Sequence, residues 1–391
     1  MNKKPVFNYP LFAMGFRAFF TLAGLSALLL IAAWTSIFDG SLKTDNYFAS
    51  VYWHAHEMLL GYSVAVIAGF LLTAVRNWTG IETITYDKLA ALFLLWIYGR
   101  IVPFYSELLP DLLIAAIDFA FLPLLVYYIS VPILKAGNYK NLIFSALLLL
   151  LAVGNALVHA EILGFSENTA WLGLNIVVAV IIGMILVIAG RIFPYFTERG
   201  LSGVIAIRNP LLDMLSVAAA IVAFILVIAG VSGGYLLAAA LLALGLNVVR
   251  AVGWYDARIW FVPLLWVLYV GYAWIMLGFI MLALAAYQIV PFSLAMHAFT
   301  VGGIGVLTLG MMARVSLGHS GRALRVSNML ALAFVLINVA ALFRALLPAL
   351  MPDWYGGLLI ASTYCWLAAF SLFVLHSYPI LTEPRPDGRE G

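Results

Sequence analysis

The sequence predicts an all-α integral membrane protein, a bundle of about twelve transmembrane helices with both termini in the cytoplasm. Three observations carry this expectation. Hydrophobic residues make up 65% of the 391 and charged residues only 9%, for a mean hydropathy of +1.09. Soluble domains hold roughly 45–50% apolar and about 25% charged residues, so lipid must be the solvent for much of this surface. Apolar runs of spanning length recur from end to end, and Lys and Arg gather in alternate connections. Helices close their own backbone hydrogen bonds in lipid, which makes them the expected element.

The runs are 12–38, 53–76, 86–103, 109–131, 139–163, 168–194, 211–230, 233–253, 259–286, 292–313, 326–347 and 354–380. Most are near the ~20 residues that cross a bilayer, and the longer ones have room to tilt or overhang. The opening MNKKPVFNYP is a short basic stretch expected to stay attached, because the next run is full length and lacks a small-residue cleavage site. With the N-terminus inside, 17 of the 20 Lys and Arg fall on the cytoplasmic side. They are Lys3, Lys4, Arg17, Arg76, Lys88, Lys135, Lys140, Arg191, Arg199, Arg208, Arg250, Arg258, Arg314, Arg322, Arg325, Arg385 and Arg389. Only Lys43, Arg100 and Arg344 fall outside, which is the positive-inside pattern. A missed or invented helix would invert the later connections and destroy it.

The longest inner connection, 195–210, is too short to fold alone, so 1–391 is expected to be a single transmembrane domain. The inner ends of helices 2, 6 and 10 are weakly alike: LLTAVRNWTG, VIAGRIFPYFTERG and LGMMARVSLGHSGR. Each ends in Arg before a Gly-containing turn. This fits three four-helix units, and equally three helices with ordinary cytoplasmic arginines.

The net charge of +3 is small and points to no nucleic-acid partner. A lone Cys365 excludes an intramolecular disulfide and a thiolate cluster. Chemistry must come from the few polar groups kept in the membrane, where burying them is costly. Of six histidines, four gather at the outer ends of helices: His54 and His56 opening helix 2, His159 closing helix 5 and His297 opening helix 10. His319 and His376 lie on the other side. Four at one depth is the pattern of a metal or haem layer; the plainer alternative is that interfacial histidines favour headgroups.

At 100° per residue, His54 and His56 point about 200° apart, so they serve two centres if both are ligands. Met58, Gly61, Ala65 and Ala68 are expected to continue the His54 face as a smooth strip for a flat macrocycle, or as a close helix contact. Glu57, between the two faces, is placed to ligate, to orient a ring N–H or to relay protons. Asn155, one turn before His159, is a candidate to support it. Arg100 and Arg344 break the charge rule. Haem propionates would explain both, because guanidinium grips carboxylates; an ion pair of Arg100 with Asp118 is the alternative.

The segments YPLFAMGFRAFF (9–20), WHAHEMLLGYSVAVIAGFLLTAVRNWTG (53–80), GRIFPYFTERG (190–200) and HAFTVGGIGVLTLGMMARVSLGHSGR (297–322) resemble the NnrS family. The likeness runs over nearly the whole chain, with Ala18 and Arg76 standing where proline is common in the family. It implies a bacterial inner-membrane protein containing haem and copper, associated with denitrification and the response to nitric oxide. With no Cys-x-x-Cys-His attachment motif, the haem is expected to be b-type. The expected assignment places His54 and His297 on the haem iron with Arg100 and Arg344 as further haem contacts. His56 and His159, with Glu57, are expected at copper. Expected partners are membrane lipid, nitric oxide or a related small molecule, and an electron donor the sequence does not name. The expected role is relief of nitrosative stress by redox chemistry on nitric oxide or its iron complexes. A secondary transporter of a metal or nitrogen-oxide species is the alternative. Helices 6 and 7 carry no histidine, so the copper site of a haem–copper oxidase is not expected.

Overall fold

The computed structural model describes residues 5–388, so Lys3, Lys4 and Arg389 lie outside the described residues. Among these residues there are twelve helices long and apolar enough to cross a membrane, and no strand. They are α1 (Gly15–Phe38), α2 (Ser50–Thr79), α3 (Tyr86–Tyr105), α4 (Asp111–Lys135), α5 (Tyr139–Ile162) and α6 (Thr169–Gly200). Then come α7 (Pro210–Ile228), α8 (Gly234–Trp254), α9 (Pro263–Ala285), α10 (Phe292–His319), α11 (Asn328–Leu350) and α12 (Pro352–Thr382). Each overlaps one expected run. The starts and stops follow local chemistry. Pro210 and Pro263 begin helices where no N–H is needed, and Asn209 and Ser327 accept from the N–H of Leu212 and Leu330. At the end of α2, Gly80 takes a left-handed φ of 69° and stops the helix.

Three of the helices widen into π segments: Glu57–Ser63 in α2, Ala298–Gly305 in α10 and Leu342–Leu346 in α11. A π turn bonds i to i+5, so it lets the residues beyond it drift from α-helical register and frequently marks a functional site. The first two begin directly after a histidine, His56 and His297.

The chain forms two compact units, with divisions inside α6, α10 and α12 and in the connection between α10 and α11. The first holds residues 1–177, 312–325 and 373–391; the second holds 178–311 and 326–372. In the first unit α1 packs on α2 and α4 packs on α3 and α5. Close approach brings α1 against α2 and α5 against α6: a Cβ on Gly69 would stand 2.8 Å from the Phe20 ring, and one on Gly154 2.8 Å from the Gly173 carbonyl. Helix direction alternates, so the beginnings of α2 and α4 and the ends of α3 and α5 share one end of this unit. In the second unit α7 packs on α8, α8 on α9 and α9 on α10.

Candidate metal centre

At that shared end, four helices turn polar side chains inward. His56 and Glu57 come from α2, Arg100 from the last turns of α3, Asp118 from α4, and Asn155 and His159 from α5. His56, Glu57, Asp118, Asn155 and His159 are all buried. The loop before α2 covers them: the Tyr47 N–H donates to the Pro103 carbonyl at 2.9 Å, and the Phe48 N–H to Asn46 Oδ1 at 3.0 Å. These bonds lay the Phe48 ring on the His56 ring, 4.2 Å between centroids.

His56 Nδ1–H donates to Glu57 Oε1 at 3.1 Å. His56 Nε2 lies 3.0 Å from Asn155 Oδ1 and 3.3 Å from Asp118 Oδ2. Asp118 Oδ2 also accepts from Asn155 Nδ2 at 2.8 Å and from His159 Nε2–H at 2.9 Å. The Tyr47 hydroxyl donates to His159 Nδ1 at 3.1 Å. Arg100 binds Asp118 Oδ1 through Nη2, and its Nε stands 3.0 Å from Glu57 Oε2.

The cluster holds more acceptors than protons to fill them. With Nδ1–H committed to Glu57, a neutral His56 points its Nε2 lone pair at the Asn155 oxygen and at a carboxylate. Rotating the Asn155 amide moves the clash without removing it, because its oxygen would then face Asp118 Oδ2. Something positive, a proton or a cation, belongs between these atoms. Among the described residues, His56, Asp118 and His159 offer one ligand atom each, all within 4.8 Å of one another. Two imidazoles and a carboxylate suit copper, zinc or iron.

The structure thus brings together His56, His159 and Glu57, the residues expected at copper. Asn155 reaches His56 and Asp118, beyond its expected place beside His159. Arg100 takes the ion-pair alternative, engaging Asp118 and Glu57. His54 leaves the other side of α2, its ring stacked 4.5 Å from Trp34 of α1. The divergence of His54 and His56 therefore matches the helical geometry. The smooth strip does not: a Cβ on Gly61 would stand 3.1 Å from both Arg100 Nη1 and Glu57 Oε2. Gly61 sits inside the π segment, where α-helical spacing no longer holds, and it faces the Arg100 and Glu57 side. Its carbonyl accepts from Trp96 Nε1–H at 3.3 Å, and the Met58 carbonyl accepts from Ser63 Oγ–H at 2.8 Å.

Sequence reasoning missed Asp118 as a metal-facing group. The available signal was a carboxylate inside an apolar run, at the depth of the histidines.

A model of the NnrS protein family matches residues 10–385, nearly the whole chain. The chain belongs to the NnrS family. Membership carries the tie to the nitric oxide response that the resemblance implied. No curated protein matches the sequence closely enough to count as a relative.

The second unit holds His297 and Arg344. His297 Nδ1–H donates to the Ser293 carbonyl at 2.6 Å, which makes Nε2 the lone-pair nitrogen, the form a metal ligand needs. The segment Phe292–His297 packs on the π segment Leu342–Leu346, which carries Arg344. Arg344 Nη1 is buried with no hydrogen-bond partner among the described residues, while the guanidinium lies 5.9 Å from the centroid of the Tyr355 ring. A buried N–H with nothing to donate to suits a carboxylate brought by a prosthetic group.

Proposed function

We propose that this membrane protein holds a copper ion between His56, His159 and Asp118 and a b-type haem on His297, with Arg344 on a propionate. Its role is relief of nitrosative stress in a bacterial inner membrane, with the polar end of the first unit facing outward. The observation that carries the reading is the buried group of His56, His159 and Asp118, whose ligand atoms lie within 4.8 Å of one another while His56 Nε2 faces the oxygens of Asn155 and Asp118, a place for a positive charge. Copper and haem supply one-electron chemistry toward nitric oxide or its iron complexes.

The chain's own residues prepare the site. Glu57 holds His56 Nδ1–H and so aims Nε2 at the metal position. Were His159 to hold the ion through Nε2, its ring proton would sit on Nδ1 and donate to the Tyr47 oxygen. Asn155 steadies Asp118 Oδ2, and Phe48 keeps water from the His56 ring.

Metal analysis and absorption spectra of the full-length protein from replete cells test this. His56→Ala and His159→Ala are expected to lose copper and keep the Soret band. His297→Ala is expected to abolish or shift the Soret band and keep copper. Acid–acetone should extract the haem. Wild-type protein without copper or haem would sink the reading, and a missing Soret band would turn it toward secondary transport.

A further inference from the structure

Arg100 is the one group of fixed positive charge among these side chains, and it faces one oxygen of each of two buried carboxylates. It hydrogen-bonds Asp118 Oδ1 through Nη2, while its Nε stands 3.0 Å from Glu57 Oε2 as a charge contact without a hydrogen bond. The remaining oxygens are then fixed. Asp118 Oδ2 faces His56 Nε2 and His159 Nε2, at 3.3 and 2.9 Å, and Glu57 Oε1 faces His56 Nδ1 at 3.1 Å. The backbone leaves room for this crossing. A Cβ on Gly61 would crowd Arg100 Nη1 at 3.1 Å, and one on Gly99 would stand 3.3 Å from Asp118 Oδ1. The Trp96 ring lies under the guanidinium, 5.6 Å from its carbon. The side chains of Glu57, Asp118 and Arg100 are only 1%, 2% and 11% exposed, so solvent screens their charges weakly.

Two carboxylates and one guanidinium carry a net charge of −1, which a monovalent ion balances and a divalent ion exceeds. We propose that Arg100 is the positioning residue that sets the redox potential of the copper site, by leaving one carboxylate oxygen for the metal and by favouring Cu(I) over Cu(II). The inference rests on the copper reading above. The couple is defined by the titration itself: one electron from dithionite, carried by the mediators, takes Cu(II) to Cu(I), and no bond within the protein is made or broken.

The test is a potentiometric titration of copper-loaded, full-length protein with dithionite and mediators, followed by the paramagnetic resonance of Cu(II). Arg100→Gln takes the local charge to −2 and should favour Cu(II) at least tenfold, a fall of about 59 mV or more for a one-electron couple. Glu57→Gln takes it to zero and should raise the potential by a similar amount, while its amide oxygen still accepts from His56. The double variant Glu57→Gln/Arg100→Gln restores −1 and should return close to wild type. A purely structural role moves both single variants the same way and gives no return, which would overturn the proposal; so would unmoved potentials. If Arg100→Gln does not fold, the rise in Glu57→Gln and the return in the double variant decide the matter. Wild-type protein without copper would instead fail the reading on which this rests.

Discussion

The two units bury polar clusters of similar size and finish them differently. In the second unit, Arg250 of α8 is 2% exposed and gives every arm of its guanidinium to a partner. Nε and Nη2 donate to the Tyr272 hydroxyl at 3.1 and 2.6 Å, Nη2 to Asn247 Oδ1 at 3.2 Å and Nη1 to Asp213 Oδ1 at 3.4 Å. Tyr272 itself donates to Asn247 Oδ1 at 2.6 Å. Donors meet acceptors, one cation meets one anion, and no imidazole takes part. The first unit buries two carboxylates, one guanidinium and two imidazoles, and leaves His56 Nε2 facing two acceptors. A buried network with all its bonds made fixes structure; one with an acceptor surplus beside ligand nitrogens has room for a cation. That difference, rather than burial, separates the candidate site from a structural cluster.

The largest effect should follow from breaking the first cluster at its centre. Asp118→Ala leaves Arg100 with one carboxylate and strips the acceptor from both Asn155 Nδ2 and His159 Nε2–H. Removing one partner of a buried ion pair costs about 3–5 kcal/mol, so unfolding in detergent should come at markedly lower denaturant. Copper should be lost with it. Copper retained in full by a folded Asp118→Ala protein would remove the carboxylate from the site and leave only the histidines.

A smaller effect is expected from the second cluster, and of a different kind. Tyr272→Phe deletes one hydroxyl that accepts twice from Arg250 and donates once to Asn247. Hydrogen bonds to charged groups contribute about 1.5–3 kcal/mol, and Asp213 and Asn247 still hold the guanidinium. Stability should fall within that range while copper content stays at the wild-type level. A loss of copper there would mean that the two clusters are not independent in function.

The fold was legible because hydropathy integrates over twenty residues. Each expected run overlaps one helix, and the misses are at ends: 168–194 became Thr169–Gly200, which carries on through Pro194 and the polar YFTERG stretch. The common depth of His56 and His159 was legible, but depth alone did not pair them, because His54 and His297 were expected at the same level. Asp118 was not legible, since a single carboxylate beside an expected Arg100 reads as an ion pair, and it serves as that too. The π segment after His56 was hidden for another reason: it changes no composition, only the spacing that places Gly61.

The smallest effect belongs to the edge of the first cluster, at Tyr47. Its phenol is held above its ordinary pKa, first by burial and then by the Asp111 charge, so it stays a neutral O–H. It donates to His159 Nδ1 at 3.1 Å; were His159 to hold an ion through Nε2, the hydroxyl would accept from the same nitrogen instead. Tyr47→Phe removes one neutral hydrogen bond, about 0.5–1.5 kcal/mol, and leaves the His159 ring pinned by Asp118 alone. Stability should barely move. Copper affinity should drop about ten- to a hundredfold, the range typical of groups that orient a metal-binding histidine, as read by competition with a chelator. Equal affinities in Tyr47→Phe and wild type would show that His159 is oriented by Asp118 without help, or that it does not ligate. His159→Ala distinguishes these: it keeps copper only in the second case.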